Sequence, residues 1–230
     1  MFLRDRLIVA AALGCLALPS RAAMADDLQS VLRQLDAAAA DFHTTSADFE
    51  FDSYETDPIP IKDVQKGTVY YERKGSAFSM AAHIAEVNGK PVPKIYSYVG
   101  GVFKLDEPLI DQVTTFKSAS KFESYVMLGF GASGKELADK WDITFVNTEM
   151  LDGWKTDKLE LIAKDPTVRK NLPKVTIWID PVRGVSLKQI FDEGEGQSRV
   201  CVYFNIKTKQ PLPGDAFKLP TDAKTQYVAR

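Results

Sequence analysis

The residues with reactive side chains are few, and their spacing assigns most of them to structure. His43 and His83 are the only histidines, each alone in a strand-like segment, with no H-x-x-x-H or H-E-x-x-H pattern and no cysteine cluster to complete a metal site. The stretch GFGASG, Gly129 to Gly134, precedes a helical pattern. No strand leads into it, and it lacks the Lys-Ser/Thr ending of a phosphate-binding loop, so it reads as a connection between two helices. No G-x-S-x-G elbow is present, and the acidic residues are too evenly spread to single out a catalytic carboxylate pair. These observations give no catalytic residue, metal or cofactor, and they point to a binding protein rather than an enzyme.

One basic residue is out of keeping with its neighbours. In GTVYYERKGSAFSMAAHI, Gly67 to Ile84, the period of two puts Arg73 on the same pleat face as Val69 and Tyr71. Beyond the charged tip, Phe78, Met80, Ala82 and Ile84 alternate in the same way. From the residues alone two readings stay open. Arg73 is a strand-end cation whose stem covers apolar surface, or it is a donor with a job inside the fold.

The elements that would position these residues are mostly strands. LQSVLRQLDAAAADF has the spacing of an amphipathic helix, with Asp26 and Asp27 at its start. After it come alternating segments separated by turn signals such as Gly100-Gly101, Asp152-Gly153 and Gly194-Glu195-Gly196. The exception is SKFESYVMLGFGASGKELADKW, which reads as helix, glycine-rich turn and helix, with a capping box from Ser133 to Glu136. About eleven strands without βαβ alternation predict a mainly β fold with helices: an incomplete, strongly curved antiparallel barrel with the helices over its mouth.

The first residues differ from the rest. Arg4 and Arg6 precede an apolar run from Leu7 to Leu18, and Ala23-Met24-Ala25 follows as a cleavage pattern, so residues 1–25 read as a signal peptide and 26–230 as one domain. Cys15 also closes a Gly-Cys pair of lipoprotein type. Because the apolar run continues past it, cleavage after Ala25 and a periplasmic location are expected. Cleavage leaves about 205 residues with a formal charge of about −4, too acidic and unclustered for nucleic acid or an anionic membrane. It also leaves Cys201 without an intrachain disulfide partner, read as half-buried filler beside Tyr203.

The sequence contains 13 phenylalanines, 8 tyrosines and 5 methionines, many at alternating positions. From composition alone this favours a sheet-helix core over a sheet closing on an apolar cavity, because barrels of either kind produce the pattern. The order of several strings resembles the periplasmic lipoprotein carrier LolA family over nearly the whole mature chain. These are LQSVLRQLDAAAADFHTTSADFEF, GTVYYERKGSAFSM, YVGGVFKLDEP, KFESYVMLGFG, WIDPVRGVSLKQI and FKLPTDAKTQYV.

The resemblance implies a helical lid over an apolar cavity that holds the acyl chains of lipoproteins or lipids as cargo. It also implies an inner-membrane ABC transporter as donor, an outer-membrane acceptor, and a monomeric carrier. It aligns Arg73 with a family arginine that latches the lid, although Glu72 and Lys74 stand where the family has lysine and proline. Val69, Tyr71, Phe78, Met80, Phe103, Phe122, Val126, Met127 and Trp141 are the expected cavity residues. Alternatives are an anchored LolB-like acceptor or a lipid-binding sensor of the same fold and, of a different class, an envelope hydrolase.

Overall fold

The computed structural model describes residues 21–56, 60–117 and 128–230. The proposed signal peptide lies mostly outside them, as do Phe122, Val126, Met127 and the helix expected around them. A helix α1, Arg21–Ala40, starts a few residues before the expected start because the alanine-rich RAAMA stretch favours helix. The strands β1 (Thr44–Glu55), β2 (Ile61–Lys74), β3 (Ala77–Val87), β4 (Lys90–Val99), β5 (Val102–Glu107) and β6 (Gln112–Phe116) follow. After the short helix α2 (Gly134–Lys140) come β7 (Trp141–Leu151) and β8 (Trp154–Ala163). A helix α3, Pro166–Asn171, precedes β9 (Lys174–Asp180), β10 (Val185–Gly194), β11 (Gln197–Thr208) and β12 (Gln226–Ala229).

The twelve strands form one open sheet in the order β12-β6-β5-β4-β3-β2-β1-β11-β10-β9-β8-β7. The expected antiparallel meander is present as two runs, β1–β6 and β7–β11, joined where β1 pairs with β11, and β12 returns to the far edge and pairs with β6 in parallel. The turns have the chemistry that the sequence advertised. Asp152 and Gly153 both adopt positive φ, of 49° and 79°, as a tight hairpin requires. Helix α3 was not foreseen, although its cap is local: Asp165 accepts from the Thr167 amide at 2.7 Å, and Pro166 occupies the first turn.

Register shifts at Ser46/Asp48, Lys66/Gly67, Ile84/Glu86 and Ser186/Lys188 are bulges, which bend strands and strengthen their twist. At Gly67 the two chains come so close that an added Cβ would lie 2.0 Å from the His83 carbonyl oxygen. Only glycine permits that approach. The concave face so formed carries two apolar clusters. One packs α1 and α2, through Val31, Leu35 and Leu137, onto Leu159, Val175 and Ile177 of the β7–β9 end. The other gathers around Phe49, Val69, Tyr71, Met80, Phe130 and Tyr203 of the β1–β4 and β10–β11 region.

On the convex face the segment after β11 crosses strand β3. The Ala216 carbonyl meets His83 Nε2 at 2.8 Å, and Tyr70 lies edge-on to the same imidazole at 5.1 Å. His83 is thus a structural tie. Leu35 is fully buried where α1 meets the sheet, so Leu35→Ala is expected to cost about 2–5 kcal/mol. Denaturant unfolding checks this, and a loss below about 1 kcal/mol would mean that α1 contributes little to the core.

Candidate ligand cavity

The concave face is filled unevenly. The described helices α1 and α2 cover the β7–β9 end, and among the described residues the other half lines a cavity of about 510 Å³. Its walls are Phe49 and Phe51 of β1, Val69 and Tyr71 of β2, Met80, Ala82 and Ile84 of β3, Tyr96 of β4, Phe103 of β5 and Phe116 of β6. Phe191 of β10 and Cys201 and Tyr203 of β11 close the other side, while Ser53, Gln65 and Arg199 supply polar groups. Alternation explains this composition, because cross-strand partners such as Tyr71 and Met80, or Phe103 and Phe116, project to the same face.

Of the residues expected at the cavity, Val69, Tyr71, Met80 and Phe103 line it. Phe78 sits just behind the wall, stacked on Phe42 at 6.5 Å and tilted against Tyr71 at 6.0 Å. Trp141 requires a correction: it is buried in the other cluster, beneath the helices at the start of β7. Its size and apolar character signalled burial but carried no information about which end of the sheet it would fill.

The GFGASG stretch is more than a connection. Gly129 accepts from the Ser186 amide at 2.6 Å, Gly131 donates to the Gly184 carbonyl at 3.1 Å, and Phe130 forms a bridge with Val185. Gln189 Nε2 donates to the Leu128 carbonyl at 2.6 Å and so pins the same strap from beneath. The strap drives Phe130, fully buried, between Tyr71, stacked at 4.2 Å, and Tyr203, edge-on at 4.7 Å. Phe130 is one of several residues that the sequence reading did not place at the site, with Phe49, Phe116 and Tyr203 of the wall among the others. Glycines on both sides made Phe130 look like loop, yet Gly129 and Gly131 adopt positive φ, and Gly131 rests against the Phe42 ring.

Arg73 holds the strap from the other side. Its Nη2 donates to the Gly131 carbonyl at 2.9 Å, its Nη1 lies 3.8 Å from Glu136 Oε1, and its guanidinium sits 5.7 Å from the centre of the Phe78 ring. The main chain reinforces this, with the Arg73 amide donating to the His43 carbonyl at 2.8 Å. The Glu136 pair is half-exposed and weak, so the Gly131 bond is the main polar tie. The capping box formed as expected: Ser133 Oγ accepts from the Glu136 amide at 3.0 Å, and the Ser133 amide donates to Glu136 Oε2 at 2.8 Å. The same glutamate therefore caps α2 and faces Arg73.

Burial shapes the polar groups of the wall. It pushes the Cys201 thiol up to about 12, with a Tyr203 hydrogen bond acting weakly the other way, and it raises the Tyr71 and Tyr203 hydroxyls far above their ordinary range. Tyr203 also donates to Gln189 Oε1 at 3.2 Å, which links the wall to the strap. Among the described residues no group of His, Cys, Asp or Glu side chains could hold a metal ion, and no helix is long and apolar enough to cross a membrane.

No protein-family model matches this sequence, and no curated protein matches it. Solved structures are similar to this chain, two of those described next at TM-scores above 0.5. An uncharacterized conserved protein from Thermus thermophilus is similar at a TM-score of 0.56 and 11% identity, over 89% of this chain and 99% of that one. MucB is similar at a TM-score of 0.54 and 14% identity, over 88% of this chain and 66% of MucB, so the chain spans just under two thirds of MucB. A LolA superfamily protein from Nitrosomonas europaea is similar at a TM-score of 0.42 and 15% identity, over 83% of this chain and 97% of that one. The protein is thus an open, bent β-sheet with an apolar hollow.

The raised thiol and hydroxyls set an alkaline limit. Below their ordinary values, 9.0 for the thiol and 10.0 for the hydroxyls, they are neutral in folded and unfolded chains alike. Above those values only the unfolded chain ionises, so stability is lost as pH rises. The denaturation midpoint is expected to fall steeply above about pH 9 and less steeply in a Tyr203→Phe, Cys201→Ala double variant. Equal slopes for the two proteins would contradict the assignment.

Proposed function

We propose that this protein is a periplasmic carrier that shields the acyl chains of lipoproteins or lipids in transit between membranes. The observation that supports it best is the apolar cavity, which lies away from the described helices α1 and α2 on the concave face of the sheet. A hydrocarbon chain leaving a bilayer for such a cavity stays out of water, so transfer is close to neutral in free energy and the cargo can be released again. In this reading an inner-membrane ABC transporter loads the carrier and an outer-membrane acceptor unloads it, and neither step needs a cofactor.

Arg73 serves as the latch. Its bond to the Gly131 carbonyl holds the strap, and with it Phe130, against Tyr71 and Tyr203. A charge-assisted hydrogen bond contributes about 1.5–3 kcal/mol, a size that differential binding of an acyl chain can overcome. Entry of a chain then competes with the Phe130 plug. MucB, which shares the fold, is known in complex with MucA(peri), an instance of this architecture meeting a protein partner.

The test is binding of an acylated lipopeptide to the purified protein, with the same peptide lacking its acyl chains as control. Saturable binding of the acylated form alone is expected, and Arg73→Leu is expected to tighten it about tenfold, the equivalent of 1.4 kcal/mol of closed-state stabilisation removed. Equal binding of both peptides, or of neither, would remove the carrier reading. Acyl-dependent binding that is unchanged in Arg73→Leu would retain the cavity and remove the latch.

A further inference from the structure

A second cavity, of about 490 Å³, lies on the far side of Phe42 where α1 ends. Ala37, Ala38 and Phe42 form an apolar wall, and Thr44, Thr45, Thr208, Lys209 and Arg183 form a polar one. None of the residues lining the acyl cavity takes part. Two buried polar atoms of residues on the polar wall have no hydrogen-bond partner among the described residues: Thr45 Oγ1, in a residue only 1% exposed, and Arg183 Nη2. Buried polar groups are nearly always satisfied, so two orphans on one cavity wall point to a missing ligand.

The rest of Arg183 is firmly placed. Its Nε donates to Asp180 Oδ2 at 2.6 Å, and its guanidinium lies 3.7 Å from the centre of the Trp154 ring. Asp180 Oδ1 accepts from the amides of Val182 and Arg183, at 3.0 and 3.2 Å, which fixes the turn that carries the arginine. A guanidinium has donors only, so whatever completes Nη2 must supply an acceptor. The Thr45 hydroxyl can donate to the same group.

Charge around the cavity is mixed. Asp41 adds a negative group, but it is paired with Lys209, and both are more than half exposed, so the lysine can exchange partners at little cost. The carbonyls of Ala38 and Ala39 at the end of α1 already accept from the Asp41 and Phe42 amides. The volume falls within the usual range of about 300–1,000 Å³ for small-molecule sites, well beyond what a bare ion needs.

We propose that this cavity binds a small organic anion, whose carboxylate or phosphate oxygens accept from Arg183 Nη2 and Thr45 Oγ1 while its apolar body lies on Ala37, Ala38 and Phe42. The anion is a free metabolite or the headgroup of a lipid, and the same oxygens are recognised in either case. The proposal is independent of acyl-chain carriage.

The test is titration of the isotope-labelled protein with phenyl phosphate and with hexanoate, read as amide chemical shifts, alongside co-sedimentation with phosphatidylglycerol vesicles. Saturable shifts confined to Thr44, Thr45, Arg183 and Lys209 are expected for at least one soluble probe, with affinity reduced at least tenfold in Thr45→Val and in Arg183→Lys. Vesicle binding that the same substitutions weaken, in addition to the soluble response, would identify the headgroup as the source. Shifts at Met80 and Tyr203 instead, no saturable response, or vesicle binding without a soluble response would overturn the proposal. Arg183→Lys keeps a cation beside Asp180, and if it nevertheless fails to fold, Thr45→Val alone decides.

Discussion

A single sheet bent over its own apolar face must be filled, and the described helices fill one end of it. The docked helices α1 and α2 pack on the β7–β9 end, where Leu159, Leu161, Val175 and Ile177 are fully buried beside Trp141 and Phe145. Among the described residues no helix packs on the β1–β6 half, whose concave face carries aromatic rings meeting at 4–6 Å. The cavity is thus a product of topology and side-chain choice together. Leu128, buried in the helix-covered core yet touching the cavity, marks the border between the two halves.

At that border the strap from Leu128 to Ala132 is tied to β10 by main-chain bonds and to β2 by Arg73. These ties differ in character. The β10 side offers several neutral bonds and the Gln189 amide, while the β2 side depends chiefly on one guanidinium.

Much of this was legible in the sequence because sheets announce themselves locally. Alternation and turn dipeptides such as Asp152-Gly153 located the strands of the meander, and the capping box located α2. What stayed illegible depended on distance. The four residues of β12 carry too little pattern to reveal a parallel partner, and burial of Trp141 could be read while its place in the sheet could not. Arg73 drew attention by its conflict with Val69 and Tyr71, since a local rule broken in the open is visible. Phe130 broke no rule, and only the tertiary contacts of its flanking glycines explain its position.

The pairing of β12 with β6 also bears on how the chain assembles. Gln226 faces Gln112, a sequence separation of 114 residues, and the Lys117 amide completes the junction on the Arg230 carbonyl. Contacts of such long range form late, since loop closure is unfavourable until the rest of the sheet has brought the ends together. Until residues 226–229 have been synthesised and docked, β6 presents bare N–H and C=O groups beside the phenylalanines of the cavity wall. A nascent or truncated chain would therefore display a sticky, hydrophobic sheet edge, and the short final strand works as a stopper against pairing between neighbouring molecules.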